Sequence, residues 1–248
     1  MTRISVELVP RDIEVLKEEV KTIKEKLSDV DFINIPDLLS CDTRSWDGAN
    51  IAKAYFDDVV PHLRAMDFDF TKDLPIKDKL REYNIKEVLV VEGDPPQSML
   101  YQVYPTISTD IIKKFSEEMP EITVYAGIDQ YRSSMKEEEY RIRRKQLAGA
   151  KGFFTQPFFD MRYLEMYADL LDGLDIYWGV SPVLSERSVS YWRNKNNVIF
   201  PKDFEPTLEW NIEFASKVID FARKHNHNVY LMPIKAKIMP YLEGVFAK

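Results

Sequence analysis

The sequence predicts a single domain, a (β/α)₈ TIM barrel that spans residues 1–248. Short β-rich runs alternate with amphipathic helical patterns almost from the first residue, which is typical of parallel βαβ units. The length of 248 residues lies in the usual range for this fold and allows ~31 residues per unit. No long Gly/Ser-rich polar stretch divides the chain. A doubly wound open sheet shows the same alternation, so the strand pattern alone does not exclude it.

The expected elements follow from the period of the apolar residues. The first helix begins after Asp12, and its apolar positions step by three and four from Ile13 to Leu27. Eight runs are expected as strands: Ile4–Val9, Phe32–Ile35, Pro61–Met66, Glu87–Val91, Ile122–Ala126, Gly152–Gln156, Ile176–Val180 and Val229–Met232. Seven further helices are expected at Gly48–Asp58, Ile76–Tyr83, Thr109–Glu118, Lys136–Gly149, Arg162–Leu171, Glu186–Lys195 and Leu208–His225.

The composition narrows the functional class. The formal charge is −7, from 34 basic and 41 acidic side chains, which argues against a general nucleic-acid binder. A single cysteine, Cys41, excludes an intrachain disulfide and favours a reducing compartment. The N-terminus lacks the apolar stretch of a secretory signal, and no run approaches the ~20 apolar residues of a membrane span. We therefore expect a cytoplasmic protein that does not enter the membrane.

Glu7 is the first candidate for chemistry, because it lies in a strand that is otherwise apolar. Loops and strand ends at the carboxyl side of a parallel barrel build its active site. Burial at that point would raise the pKa of the carboxyl group, which suits a general acid. The alternative is a glutamate that pairs with a lysine or arginine inside the barrel.

Two other strand ends carry unusual residues. Gly93 and Asp94 open a loop that two prolines stiffen, and glycine allows a ligand to approach the backbone closely. Ordinary turn chemistry is the alternative for Asp94. Gln156 ends another strand, and its amide can both donate to and accept from a heterocycle. Phe158 could cover a planar ligand there, although core packing is the alternative for this aromatic residue.

Other features point to structure rather than to chemistry. A basic run at Arg141, Arg143, Arg144 and Lys145 complements the dipole at a helix C-terminus, unless one or two of these side chains face the mouth. Three histidines and one cysteine do not form a recognisable zinc-ligand pattern, so no metal is expected. The phosphate motifs GxGxxG and GxxxxGK[ST] and the nucleophile motif GxSxG are absent.

Together, these motifs resemble the methylenetetrahydrofolate reductase family. The resemblance rests on an opening Ser-x-Glu at Ser5–Glu7, on Gly-Asp-Pro-Pro at Gly93–Pro96 and on Thr-Gln-x-Phe-Phe-Asp at Thr155–Asp160. Further similarities are Pro61-His62-Leu63, Arg144-Lys145 followed by Ala148–Ala150, and Gly179 with Pro182-Val183. The motifs keep their order over nearly the whole chain.

The resemblance implies a flavin-dependent barrel that passes a hydride from NAD(P)H through FAD to methylenetetrahydrofolate. Glu7 would be the general acid, and Asp94 would tune the flavin and pterin rings. Gln156, Phe158 and Lys235 would contact the folate. The flavin would contact His62, Gly93, Asp94, Arg144 and Lys145. The resemblance also suggests a homo-oligomer or a partner redox subunit.

This chain departs from the family in the part that holds FAD. Ile35-Pro36-Asp37 replaces a Thr-Tyr-Gly segment, and Glu92 stands where an arginine is usual before Gly93. Gly127 and Ile128 replace a Tyr-Pro pair after the fifth strand. A second hypothesis is therefore a flavin-free enzyme that binds folate and transfers a methyl or methylene group. A third hypothesis, a catalytically silent binding subunit, is disfavoured by the retention of Glu7, Asp94 and Gln156.

Overall fold

The computed structural model describes residues 2–96, 98, 101–234 and 236–247. Eight parallel strands close into a barrel in sequence order, so the predicted (β/α)₈ fold is confirmed. The strands are β1 (Ile4–Glu7), β2 (Phe32–Ile35), β3 (Val59–Arg64), β4 (Glu87–Val91), β5 (Thr123–Ile128), β6 (Gly152–Pro157), β7 (Ile176–Val180) and β8 (Asn228–Leu231). Closure through the β1–β8 pair excludes the open sheet.

Helices cover the outside of the barrel. They are α1 (Ile13–Lys26), α2 (Ser45–Ala52), α3 (Lys77–Glu82), α4 (Ser108–Glu118), α5 (Met135–Ala148), α6 (Met161–Leu170), α7 (Glu186–Lys195), α8 (Leu208–His225) and α9 (Ile238–Phe246). Asp12 caps α1 through its side chain, as the sequence predicts, and Asp160 caps α6 in the same way. In the described part of the chain, no helix is both long enough and apolar enough to cross a membrane.

Some boundaries differ from the expected ones. Strand β3 begins two residues before Pro61, because Val59 and Val60 pair with β2, and it ends at Arg64 before a 3₁₀ turn. Helix α2 begins at Ser45 because the buried Asp37 carboxylate accepts a hydrogen bond from the Ser45 N–H. Helix α9 was not predicted. It buries Tyr241, Leu242 and Val245 as it packs on α8.

Packed apolar side chains fill the barrel interior below the mouth. Alternate residues of the strands fill the interior with one cluster: Phe32, Val60, Leu89, Tyr125, Phe154, Tyr177, Tyr230 and Met232. The rings of Phe154 and Tyr177 stack at 4.1 Å between centroids. At the amino end, the guanidinium of Arg3 lies 4.4 Å above the Phe32 ring and closes the barrel. Polar side chains follow this filling toward the carboxyl ends of the strands, where the candidate site lies.

Candidate active site

Glu7 is the last residue of β1, and its side chain lies inside the barrel with 8% of the residue exposed. The hydroxyl of Tyr230 on β8 donates a hydrogen bond to its carboxylate. Burial raises the pKa of the Glu7 carboxyl to about 7, although the bond from Tyr230 acts in the opposite direction. The group can therefore hold or release a proton near neutral pH, as a general acid must.

His62 lies on the same side of the barrel, with Nδ1 3.9 Å from a carboxylate oxygen of Glu7. Burial lowers the pKa of His62 to about 3, so the imidazole is neutral at physiological pH. The amide nitrogen of Asn34 lies 3.1 Å from His62 Nε2. When that amide donates, Nε2 accepts and Nδ1 carries the hydrogen, which then faces Glu7.

Two buried oxygens near Glu7 and His62 have no hydrogen-bond partner among the described residues. They are Oδ1 of Asn34 and Oγ of Ser5, which is two residues before Glu7 on the same face of β1. Unsatisfied polar atoms are costly inside a protein and are often found at functional sites. The interior below the mouth can therefore offer hydrogen bonds to a polar ligand.

The loop after β4 places Asp94 at the rim. Gly93 has φ of +87°, and a Cβ atom at this position would lie 3.1 Å from Cβ of Arg64, so glycine suits this close approach. Asp94 is exposed, and its backbone carbonyl accepts a hydrogen bond of 2.8 Å from Nη2 of Arg64. The loop thus rests on the end of β3.

Gln156 is exposed at the end of β6, two residues beyond the interior residue Phe154. Its backbone carbonyl accepts a hydrogen bond of 2.7 Å from the amide of Gln130, which follows β5. The register between β6 and β7 shifts between Phe154 and Pro157. A Cβ on Gly179 would lie 2.5 Å from the Thr155 carbonyl oxygen, so the absent side chain allows the strands to meet here. Backbone contacts therefore hold the position of Gln156.

Phe158 does not reach the mouth, which corrects its assignment as a substrate-binding residue. It is fully buried, and its ring packs edge-on or tilted against Tyr163, Tyr167 and Trp178 at 5.5–5.8 Å between centroids. These neighbours lie on α6 and β7. The alternative of core packing accounts for Phe158.

The basic pair on α5 does not present two free cations to the mouth. Arg144 is exposed, and its guanidinium lies 6.0 Å from the centre of the Tyr140 ring on the same helix. The Lys145 amine is buried, where it donates a hydrogen bond of 2.7 Å to the Gly127 carbonyl, and burial lowers its pKa. Lys235 lies outside the described residues.

Glu92 has a structural partner. Its carboxylate accepts hydrogen bonds from the N–H and the hydroxyl of Ser108, at 3.0 and 2.6 Å. Ser108 is the first residue of α4, so Glu92 satisfies donors at the N-terminus of that helix. A helix N-terminus that would otherwise favour an anion is therefore already neutralised by the protein.

The sequence reasoning missed several residues at the mouth: Asn34, Tyr230, Asp37, Arg44, Asp67 and Arg64. Asn34 is the one polar residue in the strand Phe-Ile-Asn-Ile, and that signal could have identified it. Tyr230 lies within a correctly predicted strand, but no local pattern indicates that it would face Glu7. Among the described residues, no group of three or more His, Cys, Asp or Glu side chains is placed to hold a metal ion.

A separate groove of about 600 Å³ lies outside the barrel, between α6 and α8. Trp210 and Phe214 contribute to its lining and stack on each other at 5.2 Å. Ion pairs between Arg162 and Asp160 and between Lys217 and Glu213 lie at its edge. The residues that line this groove do not include Glu7, Tyr230, His62 or Asn34.

Comparison with known proteins gives a distant sequence relative. No family model matches the chain. A 5,10-methylenetetrahydrofolate reductase from Buchnera aphidicola subsp. Schizaphis graminum is 22% identical over 147 residues. This match covers 57% of the chain and 50% of the relative, so the chain spans half the length of that protein.

Solved structures share the fold. An uncharacterised protein from Clostridium thermocellum that binds two copies of 5-methyl-5,6,7,8-tetrahydrofolic acid matches with a TM-score of 0.63 and 14% identity, over 99% of this chain and 93% of that one. An oxaloacetate acetylhydrolase matches with a TM-score of 0.62 and 10% identity, over 97% of this chain and 78% of that one. At these identities the similarity establishes the barrel fold.

Proposed function

We propose that this protein is an enzyme that binds a reduced folate across the barrel mouth and acts on its one-carbon unit. The observation that carries the proposal is the buried carboxyl of Glu7, whose pKa of about 7 suits a general acid. A relative named as a methylenetetrahydrofolate reductase and a fold neighbour that binds methyltetrahydrofolate support the choice of folate. The exposed Asp94 and Gln156 would meet the pterin at the rim.

We infer an acid step from the burial of Glu7 and its raised pKa. In a methylene-bridged folate, the bond between the bridging carbon and N10 breaks, and its electron pair takes the proton that Glu7 donates. The product is an iminium cation on N5, and a hydride added to its carbon gives the methyl group. Glu7 is left as a carboxylate, which the Tyr230 hydroxyl stabilises. A negative charge at Asp94 would stabilise the cation.

The reductase hypothesis further proposes that the hydride comes from NAD(P)H through FAD. The neutral His62 would face a flavin at the mouth, whereas the side of Gly93 that lacks a Cβ atom faces Arg64 and not the ligand. The positions for the anionic half of FAD fit less well. The Arg144 guanidinium lies over Tyr140, the Lys145 amine donates to a backbone carbonyl, and the carboxylate of Glu92 neutralises the N-terminus of α4. These three positions do not fit the pyrophosphate of FAD.

That misfit favours a second candidate function, a flavin-free folate enzyme that transfers a methyl or methylene group. The acid role of Glu7 is the same in both candidates, because each must protonate a folate nitrogen as its bond to the one-carbon unit breaks. The two candidates differ in whether purified protein takes up FAD. They also differ in whether a hydride donor is consumed in proportion to the methyl group formed.

Calorimetric titration with 5-methyltetrahydrofolate tests the folate proposal. We expect saturable binding by the wild-type protein, and the absence of binding at millimolar ligand would contradict the proposal. Glu7→Gln should keep the fold but slow turnover of methylenetetrahydrofolate by roughly 10²–10⁴. The control is Glu14→Gln, an exposed residue of α1, which should leave turnover unchanged.

Visible absorption of the protein, before and after addition of FAD, separates the two candidates. The reductase is supported if the protein shows the spectrum of a bound flavin and if methylenetetrahydrofolate reoxidises that flavin after it has been reduced. A protein that binds folate, ignores FAD and transfers the one-carbon unit supports the flavin-free enzyme.

A further inference from the structure

A chain of alternating charges runs across the carboxyl ends of β2, β3 and β4. Arg44 binds Asp37 through two hydrogen bonds, of 2.9 and 2.6 Å, and its Nη2 also lies 2.9 Å from Asp67. Asp67 accepts from Nε of Arg64 at 3.3 Å, and Nη2 of Arg64 donates to the Asp94 carbonyl at 2.8 Å. This series of charged side chains therefore ends at the backbone carbonyl of Asp94, the residue proposed to face the folate.

Most of these charges are shielded from water, so their geometry is well defined. The side chains of Asp37 and Arg64 are 1% and 7% exposed, and that of Asp67 is 14% exposed. Arg44, at 35% exposed, lies at the outer end. Ion pairs that are partly buried and bidentate hold their groups more firmly than surface pairs do. Removing Arg64 leaves Asp67 with Arg44 as its remaining partner, whereas removing Asp67 leaves Arg64 without a carboxylate partner among the residues that the structure describes.

In the loop after β4, Gly93 has no side chain that would separate the backbone from Arg64. A Cβ atom on Gly93 would lie 3.3 Å from Nε of Arg64 and 3.1 Å from its Cβ, so the loop rests directly on this arginine. The hydrogen bond to the Asp94 carbonyl then fixes the residue whose carboxylate is exposed at the rim. Arg64 thus holds the Asp94 carboxylate in place in two ways, by packing against Gly93 and by donating a hydrogen bond to the Asp94 carbonyl.

We propose that Arg64 is a positioning residue for Asp94, held in place by Asp67 and, through Arg44, by the loop after β2. The proposal rests on the folate function, because it assigns Asp94 a contact with the pterin. Arg64 touches the main chain of Asp94 and acts on the ligand only through it. Loss of the arginine should therefore weaken folate binding only as long as Asp94 keeps its carboxylate.

A double-mutant cycle on the affinity for 5-methyltetrahydrofolate tests this coupling. Arg64→Met and Asp94→Asn should each weaken binding, by roughly ten- to a hundredfold for the loss of a charge-assisted hydrogen bond. The double variant should bind no more weakly than the weaker single variant. Arg143→Met, which removes an exposed arginine paired with Glu139 on α5, is the control and should bind like the wild type.

Additive losses in the cycle would overturn the positioning role, because they would mean that Arg64 acts independently of Asp94. If Arg64→Met does not fold, Asp67→Asn replaces it, since Asp67 orients the arginine without touching Asp94. The same coupling with Asp94→Asn is then expected, and additivity again contradicts the proposal.

Amide hydrogen exchange separates this proposal from the folate function. Exchange at Met66, whose N–H donates a hydrogen bond of 3.3 Å to the carbonyl of Glu92 beside Gly93, should become faster in Arg64→Met, whether or not a folate binds. Unchanged exchange at this amide would overturn the positioning role. Absence of folate binding by the wild type contradicts the proposed function instead.

Discussion

The hydroxyl of Tyr230 donates a hydrogen bond to the carboxylate of Glu7 across the seam where the first and last strands close the barrel. The two residues are 223 positions apart in the sequence. In the β1–β8 ladder Tyr230 is paired with Ser5, so its ring lies beside the strand that carries Glu7. The Glu7–Tyr230 pair therefore forms only when the barrel closes.

Tyr230→Phe should raise the pKa of Glu7 further above its present value of about 7. Burial raises this pKa, whereas the hydrogen bond from Tyr230 stabilises the carboxylate and lowers it. The pKa of Glu7 in Tyr230→Phe can be measured as the difference in proton uptake between this variant and the Tyr230→Phe/Glu7→Gln double variant. The matched control is Tyr241→Phe, which removes another buried hydroxyl, on α9. A Glu7 pKa that is unchanged or lowered in Tyr230→Phe contradicts the prediction.

Glu7→Gln should make the fold more stable than the wild type at pH 7 and above. The folded-state pKa of about 7 is higher than the ordinary value of 4.5, so the folded protein binds this proton more tightly than the unfolded chain does. The resulting stability is fully present below pH 4.5 and is lost as the pH rises through about 7. At 1.36 kcal/mol per pH unit, the variant should gain about 3 kcal/mol over the wild type across that interval. Urea unfolding at several pH values measures this gain, and parallel pH profiles would contradict it.

His62 should remain neutral down to about pH 4, because burial lowers its pKa to about 3. Proton NMR of the imidazole during an acid titration would show this. Asn34→Asp should raise the His62 pKa, because it replaces an amide 3.1 Å from Nε2 with a carboxylate. Asn34→Leu, which adds no charge, is the control. Titration of wild-type His62 near pH 6.5 would show that the ring is hydrated rather than buried.

Gly179→Ala should disturb the mouth more than Gly173→Ala. The added Cβ at Gly179 would meet two backbone oxygens, of Thr155 and Gln156, at 2.5 and 2.8 Å, and overpacking of this kind typically costs about 1–3 kcal/mol. At Gly173 the Cβ meets no atom within 4 Å, and the cost of about 1 kcal/mol comes from a φ of +79°. Unfolding free energies would give both costs. A folate affinity reduced only in Gly179→Ala is expected, and equal affinities would contradict the link to Gln156.

Local sequence patterns predicted the strands, the helices and several candidate site residues. Apolar residues with periods of two and of three to four identify strands and helices, because these periods follow from backbone geometry. A lone glutamate in an apolar strand likewise indicates Glu7 without knowledge of its neighbours. Phe158 shows the limit of this reasoning, since an aromatic residue after a strand end fits both a mouth and a core. The packing of α6 and β7 around it decides for the core.

The sequence by itself determined that eight strands alternate with helices, that Glu7 lies in the first strand, and that Asp94 and Gln156 lie where later strands end. Only the tertiary structure decided what those residues meet. Tyr230 reaches Glu7, and Asn34 reaches His62, because barrel closure and strand register bring distant positions to the same height. Arg64 reaches Asp94 because neighbouring parallel strands end at the same edge. Such contacts depend on the path of the whole chain, and no short-range pattern of residues records that path.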